Sequence, residues 1–316
     1  MSNELKISGT IGIKILYNKK INKKIFIFYD DHSNKKYCKP NNDNNNLFIS
    51  ELFDEIKNKD IAMILEEPFI ENNTDTKIKI LWEDTTHLML FRKFYTKLME
   101  KCSNKKICKI FPVDIRLSIF DISPDEIILN ISKSDLKYNI KVEKYFENIY
   151  YLFDLENVEI KSNSICIFLK KVFNVYKNSD YYKQLKKRII DFIQKYNLKT
   201  CNETIFNLIK KNMDSSNFIY EEGFPFVNTH NNFIDDIDKI SSGIMELYSI
   251  ILIILLPNKN IIYYAGYYHS NNIAYLLQTY YDFGFEYSFG ATDNIENKNK
   301  ISNCIIINKN KLKLIN

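Results

Sequence analysis

Glycine is scarce in this sequence, with seven residues in a chain of 316. None falls in a phosphate-binding loop or a dinucleotide-binding G-x-G-x-x-G fingerprint, so nucleotide-dependent chemistry loses its usual support. H-E-x-x-H and G-x-S-x-G are also missing, which removes the common signatures of zinc proteases and serine hydrolases. Tryptophan occurs once. The six cysteines (Cys38, Cys102, Cys108, Cys166, Cys201, Cys304) form no C-x-x-C pair, and no secretory leader precedes them. Reduced, mostly buried thiols and a cytoplasmic location are expected, extending to host cytoplasm or a virion for a viral source. The longest apolar stretch, Leu247 to Leu256, is about half of the ~20 residues that span a bilayer and stops at Pro257, so no membrane span is expected.

Hydrophobic residues at 45% and charged residues at 26% exclude disorder of the whole chain and leave enough apolar side chains for a sizeable core. The net charge is only +5, with signs interspersed, so composition does not call for a nucleic-acid partner. The basic segment KQLKKRIIDFIQK reads as an amphipathic helix with a solvated cationic face. Asn, Ile, Lys, Tyr and Phe abound, all specified by AT-rich codons; protists, AT-rich bacteria and large DNA viruses fit that bias.

The hydrophobic periodicity predicts an α/β fold: an open, mostly parallel sheet flanked by helices. Residues 5–17 alternate and are followed by the turn N-K-K-I-N-K-K and the strand IFIFY, a hairpin at the start. A short helix capped by Ser50 follows, then a strand over 61–65, a helix over 87–102 and a strand over 107–113. Strand–helix alternation of this kind makes right-handed crossovers and parallel pairing. Residues 130–245 read as a mainly helical insertion or layer within a single domain of 316 residues, with helices in 134–155, 178–198 and 202–213. A helix over 235–256, a strand over 261–265, a helix over 270–283 and a final strand over 304–307 resume the α/β pattern.

The polar residues collect at the carboxyl ends of the expected core strands. IFIFY runs into Asp30, Asp31 and His32; IAMIL into Glu66 and Glu67; ICKIFPV into Asp114 and Arg116; IIYYA into Gly266 and His269. Open α/β sheets bind ligands beyond the carboxyl ends of their strands, where loops diverge beside helix N-termini. Strands lie about 4.8 Å apart, so neighbouring ends can share one small substrate or ion. Taken singly, each has a structural explanation: Asp30 to His32 as a turn and cap, Glu66-Glu67-Pro68 as a solvated strand exit, Arg116 as the ion-pair partner of Asp114 or Asp121. The Gly266-x-x-His269 spacing is rarer, with about 0.1 match expected by chance. His87 and His230 stand at a helix start and in a polar loop, positions that suit capping or surface roles.

These motifs resemble the erythromycin esterase/ChaN-like group, which includes the TraB pheromone-shutdown proteins and the Tiki proteases. Its members carry two G-x-x-H motifs at strand ends, a Glu after a second core strand and an Arg after a later one. Gly266-x-x-His269 matches the second motif; His32 stands where the first ends, with Tyr29 in place of its glycine. Glu66 after IAMIL and Arg116 after FPVDI match the carboxylate and the arginine, Glu67 being one residue too late. The resemblance implies a hydrolase of ester or peptide bonds with His32, Glu66, Arg116 and His269 as its catalytic set and a small molecule or peptide as substrate. Asp30, Asp31, Asp114 and Gly266 would line the substrate site. In one version His32, Glu66 and His269 hold a divalent metal ion that acidifies a bound water; in the other an imidazole oriented by Glu66 takes the proton directly. Arg116 faces the developing negative charge in both. The alternative reading is a binding or structural protein, viral or engaged with a host, that keeps the fold without the chemistry. It rests on the missing first glycine and on Tyr267 and Tyr268 beside His269.

Overall fold

The computed structural model describes residues 4–31, 46–48, 61–68, 110–120, 122, 136–155, 163–198, 204, 205, 207, 218–221, 224–227, 232–292 and 304–308. The chain divides into two compact units, residues 1–113 with 252–316, and residues 114–251. The second, a helical interruption of the first in sequence, begins and ends outside the expected limits of 130 and 245.

The first unit is built on a six-stranded mixed sheet. Its strands are β2 (Gly12–Asn18), β3 (Lys23–Asp30), β5 (Ile61–Pro68), β6 (Ile110–Asp114), β9 (Asn260–Gly266) and β10 (Gly284–Gly290), in the order β10-β2-β3-β9-β5-β6. β2 and β3 form the expected antiparallel hairpin. Asn18 closes its turn by accepting the Lys20 backbone N–H at 2.9 Å, and Asn22 takes the left-handed conformation, φ 49°, that asparagine tolerates. β9 pairs in parallel with β3 on one side and β5 on the other. Both faces of these central strands are buried, which explains their unbroken apolar runs.

One face of the sheet, through Ile13, Ile15, Phe26, Phe28, Met63 and Ile262, packs in a core with Leu5, Ile7, Ile305 and Ile307. Those four belong to a separate three-stranded sheet of order β11-β1-β4, made of β1 (Glu4–Ser8), β4 (Asn46–Phe48) and β11 (Cys304–Asn308). The last strand, expected over 304–307, lies antiparallel to β1, where Ile305 and Ile307 alternate with half-exposed or exposed neighbours and so offer one apolar face. β10 was not anticipated, since its sequence GFEYSFG buries too little to stand out as a core strand.

The reduced state expected of the cysteines holds for Cys166, a buried free thiol that burial pushes up to about 12. It fails for Cys304, which is disulfide-bonded.

The second unit contains α1 (Arg116–Phe120), α2 (Leu136–Phe153), α3 (Ser164–Tyr176), α4 (Asp180–Lys195), the hairpin β7 (Phe218–Glu221) and β8 (Phe224–Val227), and most of α5 (Asn232–Leu255). α3 and the hairpin were not anticipated as separate elements. Asn163 caps α3 and Ser179 caps α4, each accepting a first-turn backbone N–H. α4 buries Tyr181, Tyr182, Leu185, Ile189, Phe192 and Ile193 at helical spacing and leaves Lys183, Lys187 and Arg188 exposed, as the amphipathic reading requires. Aromatic rings fill this core: Phe120 stacks on Tyr145 at 4.2 Å and Phe153 on Tyr182 at 5.3 Å. The Tyr145 hydroxyl meets the Ser241 hydroxyl, and burial drives its pKa well above the ordinary value. Among the described residues no helix is long and apolar enough to cross a membrane. The helices expected near 50–56 and 85–102 lie outside the described residues, as does most of the one expected over 202–213.

Candidate functional site

β9 ends at Gly266, and α6 (Tyr267–Tyr280) begins at the next residue, three positions earlier than the sequence pattern suggested. His269 therefore sits in the first turn of a helix and not in a loop. Gly266 is the N-cap, with φ −55° and ψ 154°, a conformation open to any residue, and it brings no side chain to the cap. The missing capping carboxylate comes from the neighbouring strand: Glu66 Oε2 accepts the Gly266 backbone N–H at 2.7 Å. This is the half of a capping box that a glutamate in the first turn normally supplies, delivered here from β5. A negative charge at this end of α6 is also favoured by the helix dipole.

The other oxygen of the same carboxylate, Oε1, lies 3.4 Å from His269 Nε2, and the two side chains are only 11% and 10% exposed. That separation exceeds the about 2.7–2.9 Å of a tight charge-assisted hydrogen bond, so the pair is aligned without being fully closed. Gly266 fixes Glu66, and Glu66 in turn faces the imidazole. Ser270, the next residue, donates its hydroxyl to the carbonyls of Phe28 (2.9 Å) and Ala265 (3.0 Å), tying the first turn of α6 to β3 and β9. Tyr268 stands edge-on to the His269 ring with centroids 5.4 Å apart.

On the opposite side of β9, Asp30 pairs in register with Gly266 and is buried. Asp31, just beyond β3, is partly buried. Tyr29, which stands where the resembled motif has glycine, is fully buried with its ring 5.7 Å from that of Tyr267. Its bulk is thus absorbed by packing between β3 and α6. Glu67, the rival to Glu66, is buried more deeply, at 1% exposure. The carboxyl ends of three adjacent strands accordingly bring together Asp30, Glu66, Gly266 and His269. His32, the other expected imidazole, lies outside the described residues, as do His87 and His230.

Arg116 and Asp114 belong to the second unit. The guanidinium grips Asp114 with two bonds, Nε to Oδ1 at 2.7 Å and Nη2 to Oδ2 at 3.0 Å, and the Arg116 backbone N–H also reaches Oδ1 at 3.3 Å. This forked pair caps the start of α1 and holds two donors of the arginine that the oxyanion role required. The structural ion pair weighed for Arg116 is the arrangement present.

Two ligands each about 2.0–2.1 Å from a tetrahedral ion stand about 3.4 Å apart, so the spacing of His269 Nε2 and Glu66 Oε1 suits co-ligands. A third donor is still needed. Among the described residues no group of three or more His, Cys, Asp and Glu side chains is placed to hold a metal ion. The described residues alone do not make a metal site, and the mechanism below uses only the chain's own groups.

Within the helical unit a cleft of about 460 Å³ lies between α4 and α5 and is lined by Lys187, Arg188, Asp191, Lys195 and Asp236 among others. Lys195 pairs with Asp236 at 2.7 Å, so its lining carries both signs.

The sequence located the strand ends but not the link between them, because Glu66 reaches Gly266 across 200 residues of chain. Comparison of the chain with family models, with curated proteins and with solved structures found no match.

Proposed function

We propose that this chain is a hydrolase of ester or peptide bonds in which His269, oriented by Glu66, activates water. The observation that carries the reading is the Gly266–Glu66–His269 chain of contacts at the carboxyl edge of the sheet. A carboxylate facing Nε2 favours the tautomer with its proton on that nitrogen, leaving the Nδ1 lone pair to accept a proton from water. As the proton arrives the ring becomes cationic, and Glu66, nearly removed from solvent, stabilises that charge. The positive end of α6 favours negative charge building on a substrate carbonyl at the same edge. Asp114 holds two of the five guanidinium donors of Arg116, and the proposal gives the arginine no part in this task. The resemblance to the erythromycin esterase/ChaN-like group supports the same reaction class through Gly266, His269 and Glu66. A small-molecule or peptide substrate completes the proposal.

The test is hydrolysis by the purified chain on ester and peptide libraries, with His269→Ala measured beside it and metal content determined on both. The reading expects at least one substrate on which the wild type is about 10²-fold or more faster than the variant. Equal rates across both libraries overturn it and leave Glu66 as a helix cap in a protein that binds and does not react.

A further inference from the structure

The cleft between α4 and α5 contributes no residue to the proposed hydrolysis. It lies within the second unit and, at about 460 Å³, falls in the range of about 300–1,000 Å³ that small-molecule sites occupy. Its wall on α4 runs from Lys187 and Arg188 through Asp191 to Lys195, which helical spacing sets along one side of the helix. Phe192 and Ile240, 4% and 0% exposed, supply its apolar part. At one end Asp236 Oδ2 accepts both Lys195 Nζ at 2.7 Å and the Tyr196 hydroxyl at 3.2 Å, which ties α4 to α5 and answers the Lys195 charge.

Lys187 and Arg188 are placed differently. Both are exposed, and among the described residues neither has a hydrogen-bond or ion-pair partner, although Asp191 stands within one turn of each. The Asp191 carboxylate is unpaired among the described residues as well. The cleft therefore presents two unanswered positive charges, one free acceptor carboxylate and an apolar patch. Two cations match the charge of about −1.5 to −2 that a phosphate monoester carries near pH 7, whereas a carboxylate matches only one of them. Arginine holds phosphate oxygens through paired N–H donors, and lysine adds a point charge. Asp191 accepts from hydroxyl groups but repels further phosphates, so a nucleic-acid strand running along the cleft would meet Asp191 and Asp236 where it needs cations. We propose that this cleft binds a phosphate monoester on a hydroxylated ring skeleton, a sugar phosphate or a mononucleotide. The phosphate rests on Lys187 and Arg188, a hydroxyl donates to Asp191, and the ring lies against Phe192 and Ile240.

Calorimetric titration of the full chain at about 0.15 M salt tests this, with ribose phosphate and adenosine monophosphate as ligands. Inorganic phosphate, ribose and a single-stranded oligonucleotide are titrated beside them. At least one monoester is expected to bind with a Kd of about 1 mM or lower, and about threefold or more tightly than inorganic phosphate or ribose. The tighter of the two identifies the source of the phosphate as sugar phosphate or nucleotide. Lys187→Gln and Arg188→Gln, both at exposed positions, should each weaken binding by about fivefold or more. Lys183→Gln, which removes an exposed cation of the same helix outside the cleft, should change it by less than about twofold. The proposal is overturned by the absence of binding of either monoester at that level, or by inorganic phosphate binding as tightly as both. Tighter binding of the oligonucleotide, or a loss in Lys183→Gln as large as in Arg188→Gln, overturns it too.

Discussion

Replacing Glu66 by glutamine is expected to lower kcat/KM by about 10²–10⁴ while leaving thermal stability close to that of the wild type. Glutamine retains a carbonyl oxygen that can accept the Gly266 N–H, so the start of α6 stays capped. It loses the negative charge beside His269, and its amide can turn an N–H toward Nε2, which favours the wrong tautomer. Glu66→Ala separates the two roles. It removes the catalytic charge and also strands the Gly266 N–H, at a cost of about 1–3 kcal/mol. Steady-state kinetics with thermal unfolding of both variants checks this. A glutamine variant within threefold of wild-type activity contradicts the catalytic role, and an alanine variant as stable as the wild type contradicts the capping role.

The largest effect on stability is expected at Lys23. Its ammonium, buried at the start of β3, donates to three carbonyls at the end of α5: Ile253 at 2.7 Å, Ile254 at 2.8 Å and Leu256 at 2.7 Å. The last carbonyls of a helix have no partner within it, and a cation there also meets the negative end of the dipole. Lys23→Met keeps the aliphatic stem and strands all three acceptors, which should cost about 3–5 kcal/mol in urea unfolding. Burial lowers the Lys23 pKa from its ordinary 10.5. The unfolded chain therefore holds this proton more tightly, and the lysine makes stability rise with pH between its lowered native value and 10.5, levelling off above. The difference between wild type and Lys23→Met should widen across that window. A destabilisation under 1 kcal/mol contradicts this account of the cap, and a difference that narrows in that window contradicts the lowered pKa.

The central strands were legible in the sequence because burial on both faces leaves them no polar positions: Ile61 to Leu65 and Ile261 to Ala265 are read as strands and are strands. Their hydrophobic runs also place Asp30 and Gly266 as the last residues of β3 and β9, whereas β5 runs on past Leu65 through Glu66 to Pro68. Strand order was not legible. That β9, late in the chain, inserts between β3 and β5 follows from long-range pairing that no local pattern encodes. The start of α6 was misjudged for a related reason. Gly266 supplies no side-chain cap, and the group that replaces one comes from a distant strand. Arg116 shows the opposite case, in which an ion-pair partner two residues away is visible in the sequence.

The contact on which the hydrolase reading depends can be tested without knowing a substrate. Nitrogen-15 NMR of the imidazoles, with His269 assigned through its alanine variant, reports which ring nitrogen carries the proton. The account predicts that the neutral form of the His269 ring carries its proton on Nε2 in the wild type, and that Glu66→Gln shifts that tautomer equilibrium. A ring protonated at Nδ1, or a spectrum that Glu66→Gln leaves unchanged, would contradict it.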